Sequence, residues 1–238
     1  MISINTNYGS LFASKAAGAA QKTMNSAMER LSSGLRINNA KDDAAGQGIA
    51  TRLSAELVSL KMASRNAADA QAMIDTADSA HQEVHNMLLR MREIAVQAGN
   101  ETLAAADRSA LNEEISALEK EIKSISDNTT FAGTNINTST QTVFQIGRAG
   151  TNTLTVIFKD FDTSAISADV GVTTSSSART ALATIDNAIS TISTRRGELG
   201  AASNRLSSVI ANLDNISVNI ASARGRICLL YTSPSPRD

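Results

Sequence analysis

His81 and His85 lie four residues apart, the spacing at which one helix face can offer two imidazoles to a metal ion. A metal site needs further ligands. No cysteine stands within residues 1–227, and the nearby carboxylates Asp78 and Glu83 fall on other faces or off the seam that His81 occupies. His81 is therefore expected to be packed or partly exposed, and not a ligand. Asp42-Asp43 sets two carboxylates side by side, but Lys41 before them and Ala44-Ala45-Gly46 after them read as a loop or helix cap. Gly46-Gln47-Gly48 lacks the preceding strand that a dinucleotide-binding turn requires. The sole cysteine, Cys228, leaves the body of the chain without disulfides, thiol nucleophiles or thiolate ligands. No constellation supports catalysis, and no cofactor or metal is expected.

What the spacing does build is long helices. From about Asn5 to Leu35, the residues Leu11, Met24, Ala27, Met28, Leu31 and Leu35 recur at three- and four-residue steps. That stripe is thin, and a helix of this kind is marginal alone, so it needs a partner. Residues Asn38 to Asp43 break the pattern with cap and turn formers. A strict repeat then runs from about Leu57 to Ala98 through Ala63, Asn66, Ala70, Met73, Ala77, Ala80, Val84, Met87, Met91, Ile94 and Ala98. Leu60, Ala67, Ile74, His81, Leu88 and Ala95 form a second stripe, so this helix has neighbours on more than one side. Gly99-Asn100 is a stop, and Leu111, Ile115, Leu118, Ile122 and Ile125 mark the next helix. The runs Thr142–Ile146 and Leu154–Phe158, separated by a Gly-rich loop, read as a β-hairpin, with a looser stretch to Ser177. The last helix carries Leu182, Ile185, Ile189, Ile192, Leu199, Leu206, Ile210, Leu213 and Ile220, with Ser177 as its N-cap. The fold class is mainly α: a long-helix bundle or coiled coil with a small β-hairpin insertion at about 129–160. The chain runs out, turns and returns.

Composition narrows the partners. Lys plus Arg is 22 and Asp plus Glu is 23, a net charge of −1, which gives no bias toward nucleic acid or an anionic membrane. Aromatics are 3% of residues and Trp is absent, leaving little for base stacking. No leading charged-then-apolar signal and no apolar run of membrane-spanning length occurs. The 2 prolines, Pro234 and Pro236, both fall in the final residues, so the helical body excludes helix breakers.

Three stretches carry a family resemblance. Glu29-Arg30-Leu31-Ser32-Ser33-Gly34-Leu35-Arg36-Ile37-Asn38, continuing from Ala40 through Gln47, resembles the N-terminal signature of bacterial flagellins. Residues Arg90 to Ala98 are similar to the second conserved helix segment of that family. Asn212-Leu213-Asp214-Asn215-Ile216, followed by residues Ala221 to Ile227, is similar to the approach to its C-terminal region. The three occur in the family's order. The resemblance implies that residues 1–44 are the N-terminal half of an inner-tube domain and 45–227 a surrounding helical domain. It also implies a self-assembling filament subunit that supports swimming, exported without a cleaved signal to an extracellular flagellum. Its partners would be copies of itself, the export apparatus, the filament cap and the flagellin-sensing Toll-like receptor.

Residue roles follow from the same resemblance. Arg90, Glu93, Ile94, Gln97 and Glu114 match positions that contact neighbouring subunits and that the receptor recognises. Leu11, Met24, Met28, Leu31 and Leu35 would pack in the terminal domain. Residues 228–238 depart from the family's pattern and bring in the cysteine and both prolines. They are read as a translated adaptor or vector sequence on a truncated frame, with the export-chaperone site missing. The chain as it stands is then expected to be soluble without polymerising, its N-terminal segment unordered. The rival readings are a hook–filament junction protein, which shares the helical-ends plan, and a generic coiled-coil scaffold or adhesin stalk.

Overall fold

The computed structural model describes residues 7–159 and 170–229. Its elements are α1 (Tyr8–Ser33), α2 (Ala44–Ala98), α3 (Ala105–Asn128), β1 (Thr130–Phe131), β2 (Thr134–Asn135), β3 (Thr140–Gln145), β4 (Thr153–Phe158) and α4 (Ser175–Cys228). The chain divides into two compact units, residues 1–61 with 214–238 and residues 62–213, and α2 and α4 contribute to both. Of the tail read as foreign, residues 228–238, only Cys228, the last residue of α4, and Leu229 are described; the rest lies outside the described residues, as does most of the loose stretch before Ser177.

In the first unit, the signature stretch builds one polar turn. Asn7 caps α1 by accepting from the Ser10 amide at 3.1 Å. Gly34 ends the helix with φ 69°, a left-handed conformation that suits glycine, and its N–H bonds Arg30 O at 2.9 Å. Tyr8–Ser33 is thus helical rather than unordered, and the helix stops before Leu35 rather than including it. After it, Glu29 Oε1 accepts from both Asn38 Nδ2 (3.0 Å) and Asn39 Nδ2 (2.9 Å). Asp42 Oδ2 accepts from the amides of Asn38 and Asn39, and these bonds hold its carboxyl below the ordinary range. Asp43 then receives the Gly46 amide at 2.9 Å, in the manner of an N-cap, so α2 begins at Ala44 and not near Leu57. A Cβ on Gly46 would sit 2.5 Å from Asp43 Oδ2 and 2.6 Å from Ile37 Cδ1, which explains a glycine there. The end of α4 closes this unit: Arg36 N donates to Cys228 O and Arg36 Nη2 to Ile227 O, both at 2.8 Å.

The second unit holds two apolar clusters. One gathers Val84, Leu88, Met91, Ile94 and Ala98 of α2, Ile115 and Ile122 of α3, and Ala178, Ala181, Ile185 and Ile192 of α4. Val170 and Val172 complete it, and the Val172 amide bonds Asn112 Oδ1 at 3.0 Å. The other sets Leu154, Val156 and Phe158 of β4 against Ala67, Ala70, Met73, Ile74 and Ala77 of α2 and Leu199 and Leu206 of α4. Alanines on α2 leave room for the hairpin to approach closely. β3 and β4 pair antiparallel from Thr140↔Phe158 to Gln145↔Thr153, and β4 alternates outward and inward side chains. β1 and β2 form a separate tight hairpin whose turn residues, Ala132 (φ 50°) and Gly133 (φ 81°), both take positive φ. Thr174, not Ser177, caps α4: the Ser177 amide donates to Thr174 Oγ1, and the Thr174 amide donates to Ser177 Oγ.

Candidate interaction surfaces

Arg90 stands on the outer face of α2 and reaches to α3. Its Nε donates to Glu114 Oε1 at 2.9 Å and its Nη2 lies 2.7 Å from the same oxygen, while Nη1 donates to Glu93 Oε2 at 3.0 Å. The bond to Glu114, then that to Glu93, raises the guanidinium pKa further above its ordinary value. Glu93 and Gln97 are exposed, and Glu114 is partly so. An exposed ion pair of this kind stabilises the fold by only ~0–1 kcal/mol. Its effect is to fix the direction of a planar cation, with five N–H donors, at the surface.

Ile94 is not on that surface. It is 1% exposed and belongs to the cluster shared by α2, α3 and α4. Helical geometry gives the reason: Ile94 falls on the buried stripe with Met91 and Ala98, while Gln97, seven residues beyond Arg90, returns to the Arg90 face. The apolar part of the outer face comes instead from Leu89 (42% exposed) and Val96 (54%), which flank Glu93. The core pattern had hidden both residues, because neither lies on a buried stripe.

A second surface is the apolar stripe of α1. No residue of this helix is buried; Met28 is 62% and Leu31 73% exposed, and Leu11 and Met24 are exposed with them. Leu35 differs from these four. It lies beyond the Gly34 cap, half-buried, and bridges the backbone of Leu229.

The other sequence candidates resolve as structure. His81 is 2% exposed. Asp78 is not off the seam but faces α4, where it accepts from Arg196 Nε at 2.8 Å and Nη2 at 3.3 Å. Among the described residues, no three His, Cys, Asp or Glu side chains gather as a metal site. Arg108, which no periodic pattern marks, donates to Ala98 O (3.0 Å) and Asn100 O (2.8 Å), satisfying carbonyls at the end of α2.

Residues 4–142 match the family model of the bacterial flagellin N-terminal helical region, and residues 182–228 that of the C-terminal helical region. The chain belongs to the bacterial flagellin family. The flagellin of Halalkalibacterium halodurans is 40% identical over 230 residues, 94% of this chain and 84% of that relative. The flagellin of Bacillus subtilis is 37% identical over 84% of this chain and 78% of its own length. The crystal structure of Bacillus cereus flagellin superposes with a TM-score of 0.58 at 30% identity, over 67% of this chain and 94% of that one. A protein described as a flagellar hook-associated protein from Vibrio parahaemolyticus gives a TM-score of 0.72 over 79% of this chain and all of that one. Its identity is 15%, so that likeness is one of fold alone. Membership in the flagellin family makes the chain a structural subunit that self-assembles into a flagellar filament, and not an enzyme.

Proposed function

We propose that the outer face of α2 and α3 formed by Arg90, Glu93, Gln97 and Glu114 is both a contact between subunits of the filament and the surface that the flagellin-sensing Toll-like receptor engages on the monomer. Leu89 and Val96 supply its apolar contact, and Ile94 supports it from beneath as a core residue. The observation that carries this reading is the Arg90 guanidinium, 52% exposed yet held in one direction by carboxylates from two helices. An oriented arginine beside apolar side chains has the composition of a binding hot spot. The exposed stripe of α1 packs inside the filament as part of the inner tube, with residues 1–44 in that domain and 45–227 around it. Export through the flagellar secretion channel, growth under the filament cap, an extracellular filament and swimming motility follow from the same reading.

Arg90→Ala tests it. Receptor signalling by the purified monomer is expected to lose at least about tenfold in potency, the scale of a hot-spot residue. Chemical denaturation should change by less than ~1 kcal/mol, since the ion pair is exposed. Unchanged potency in the folded variant overturns the receptor assignment.

A further inference from the structure

The chain has 7 methionines, and the structure sorts them by access. Met73 and Met91 are buried in the two apolar clusters, and Met87 is packed against the one around Leu88. Met24, Met28 and Met62 are between 43% and 62% exposed. Met1 lies outside the described residues. Two of the three open methionines stand together. Met24 and Met28 are four residues apart on α1, and Leu31 is three beyond, so the three side chains share one face of that helix. Met62 stands on α2 instead.

A thioether is apolar enough to pack between helices, yet its sulfur is readily oxidised where solvent reaches it. With hydrogen peroxide, the sulfur lone pair attacks one peroxide oxygen. An S–O bond forms as the O–O bond breaks, the proton of the transferred oxygen passes to the departing one, and water leaves. Sulfur is oxidised by two electrons and the peroxide is reduced by two. The product is a polar sulfoxide, which methionine sulfoxide reductases return to the thioether. On the monomer this change costs the fold little, because no residue of α1 is buried. Packed inside a filament, the sulfoxide oxygen would lose its water against a stripe whose other members are Leu11 and Leu31. The same packing would keep peroxide from the sulfur.

We propose that Met24 and Met28 are a redox-sensitive checkpoint on assembly: peroxide oxidises them on the free monomer and so excludes it from the filament, whereas packed subunits are protected. The proposal rests on the inner-tube reading of α1 given above. To test it, the monomer is treated with hydrogen peroxide, the excess is removed with catalase, and the sulfoxides are located by peptide mass spectrometry. The treated chain is then offered to filaments growing from an intact, untreated flagellin and recovered by pelleting. Co-incorporation should fall at least about tenfold, since burying an unbonded polar group costs more than that factor. Circular dichroism should be unchanged, and reduction by methionine sulfoxide reductases should restore incorporation. With Met24→Leu and Met28→Leu together, which keep helix propensity and volume, incorporation should survive peroxide although Met1 and Met62 still oxidise. Full incorporation of a chain carrying both sulfoxides, or an equal loss in the doubly substituted chain, overturns the proposal. Should that chain fail to incorporate untreated, Met62→Leu decides: a retained peroxide effect supports the proposal and an abolished one overturns it. Peroxide treatment of finished filaments tests the underlying reading, and Met24 and Met28 should oxidise more slowly there than in the monomer. Equal rates remove α1 from the filament interior and the proposal with it. Slow oxidation in filaments, with full incorporation of oxidised monomer, leaves that reading standing and overturns the proposal alone.

Discussion

Gly46 shows how much one position in this chain can carry. Its amide is held by Asp43, and its missing side chain is what lets Ile37, 3% exposed, lie against the first turn of α2. Gly46→Ala is expected to destabilise the protein by about 1–2 kcal/mol, the lower part of the range for overpacking, because the atoms in the way end flexible side chains. Urea denaturation measures this, and a variant as stable as the parent would show that Asp43 and Ile37 move aside freely. The carboxylates of the same turn divide their tasks: Glu29 binds two side-chain amides, Asp42 two backbone amides, and Asp43 starts the helix. Asp42 and Asp43 were legible as cap formers from their types alone. The ties from Glu29 were not, because they join the last turn of α1 to residues beyond its end.

Among the elements, α4 and the later part of α2 were readable because their apolar repeats are long and unbroken. The start of α2 was not, since Gly46, Gly48, Thr51 and Ser54 dilute the pattern there and, before Leu57, Ala50 is the only residue of α2 with a buried apolar side chain. The β1–β2 hairpin was missed because its turn opens with Ala132 where asparagine or glycine would have signalled positive φ. For α1, the apolar face has no buried residue in the described chain, and the inner-tube packing proposed above would supply its partner. Leu31→Asp should therefore leave monomer stability within ~0.5 kcal/mol of the parent, as for a surface change. In a filament, the same carboxylate would be desolvated against apolar side chains at a cost of several kcal/mol. Co-incorporation into filaments grown with an intact flagellin, read by ultracentrifugal pelleting, is expected to fall sharply relative to the parent chain. Equal incorporation would remove α1 from the interior contact.

In the molecule as a whole, both apolar clusters fall within residues 62–213, whereas the first unit is anchored by Ile37, Ala50, Leu57 and Leu60 and by the Arg36 bonds to the end of α4. Hydrogen exchange on the monomer should follow that division. The slowest amides are expected around Leu88, Ile122 and Ile185, and the fastest helical amides in α1. Protection in α1 equal to that around Leu88 would mean that α1 is buried in the free chain. The sequence by itself determined the class of fold, the buried stripes, the hairpin and, through three collinear stretches, the family. Tertiary structure decided which face each side chain meets. It moved Ile94 into the core, brought Leu89 and Val96 to the surface beside Arg90, and paired Asp78 with Arg196 across 118 positions of chain. The physical reason is that periodicity tells which residues share a face of one helix. Which neighbour covers that face, and which residues remain in water, follows only once the chain has returned on itself.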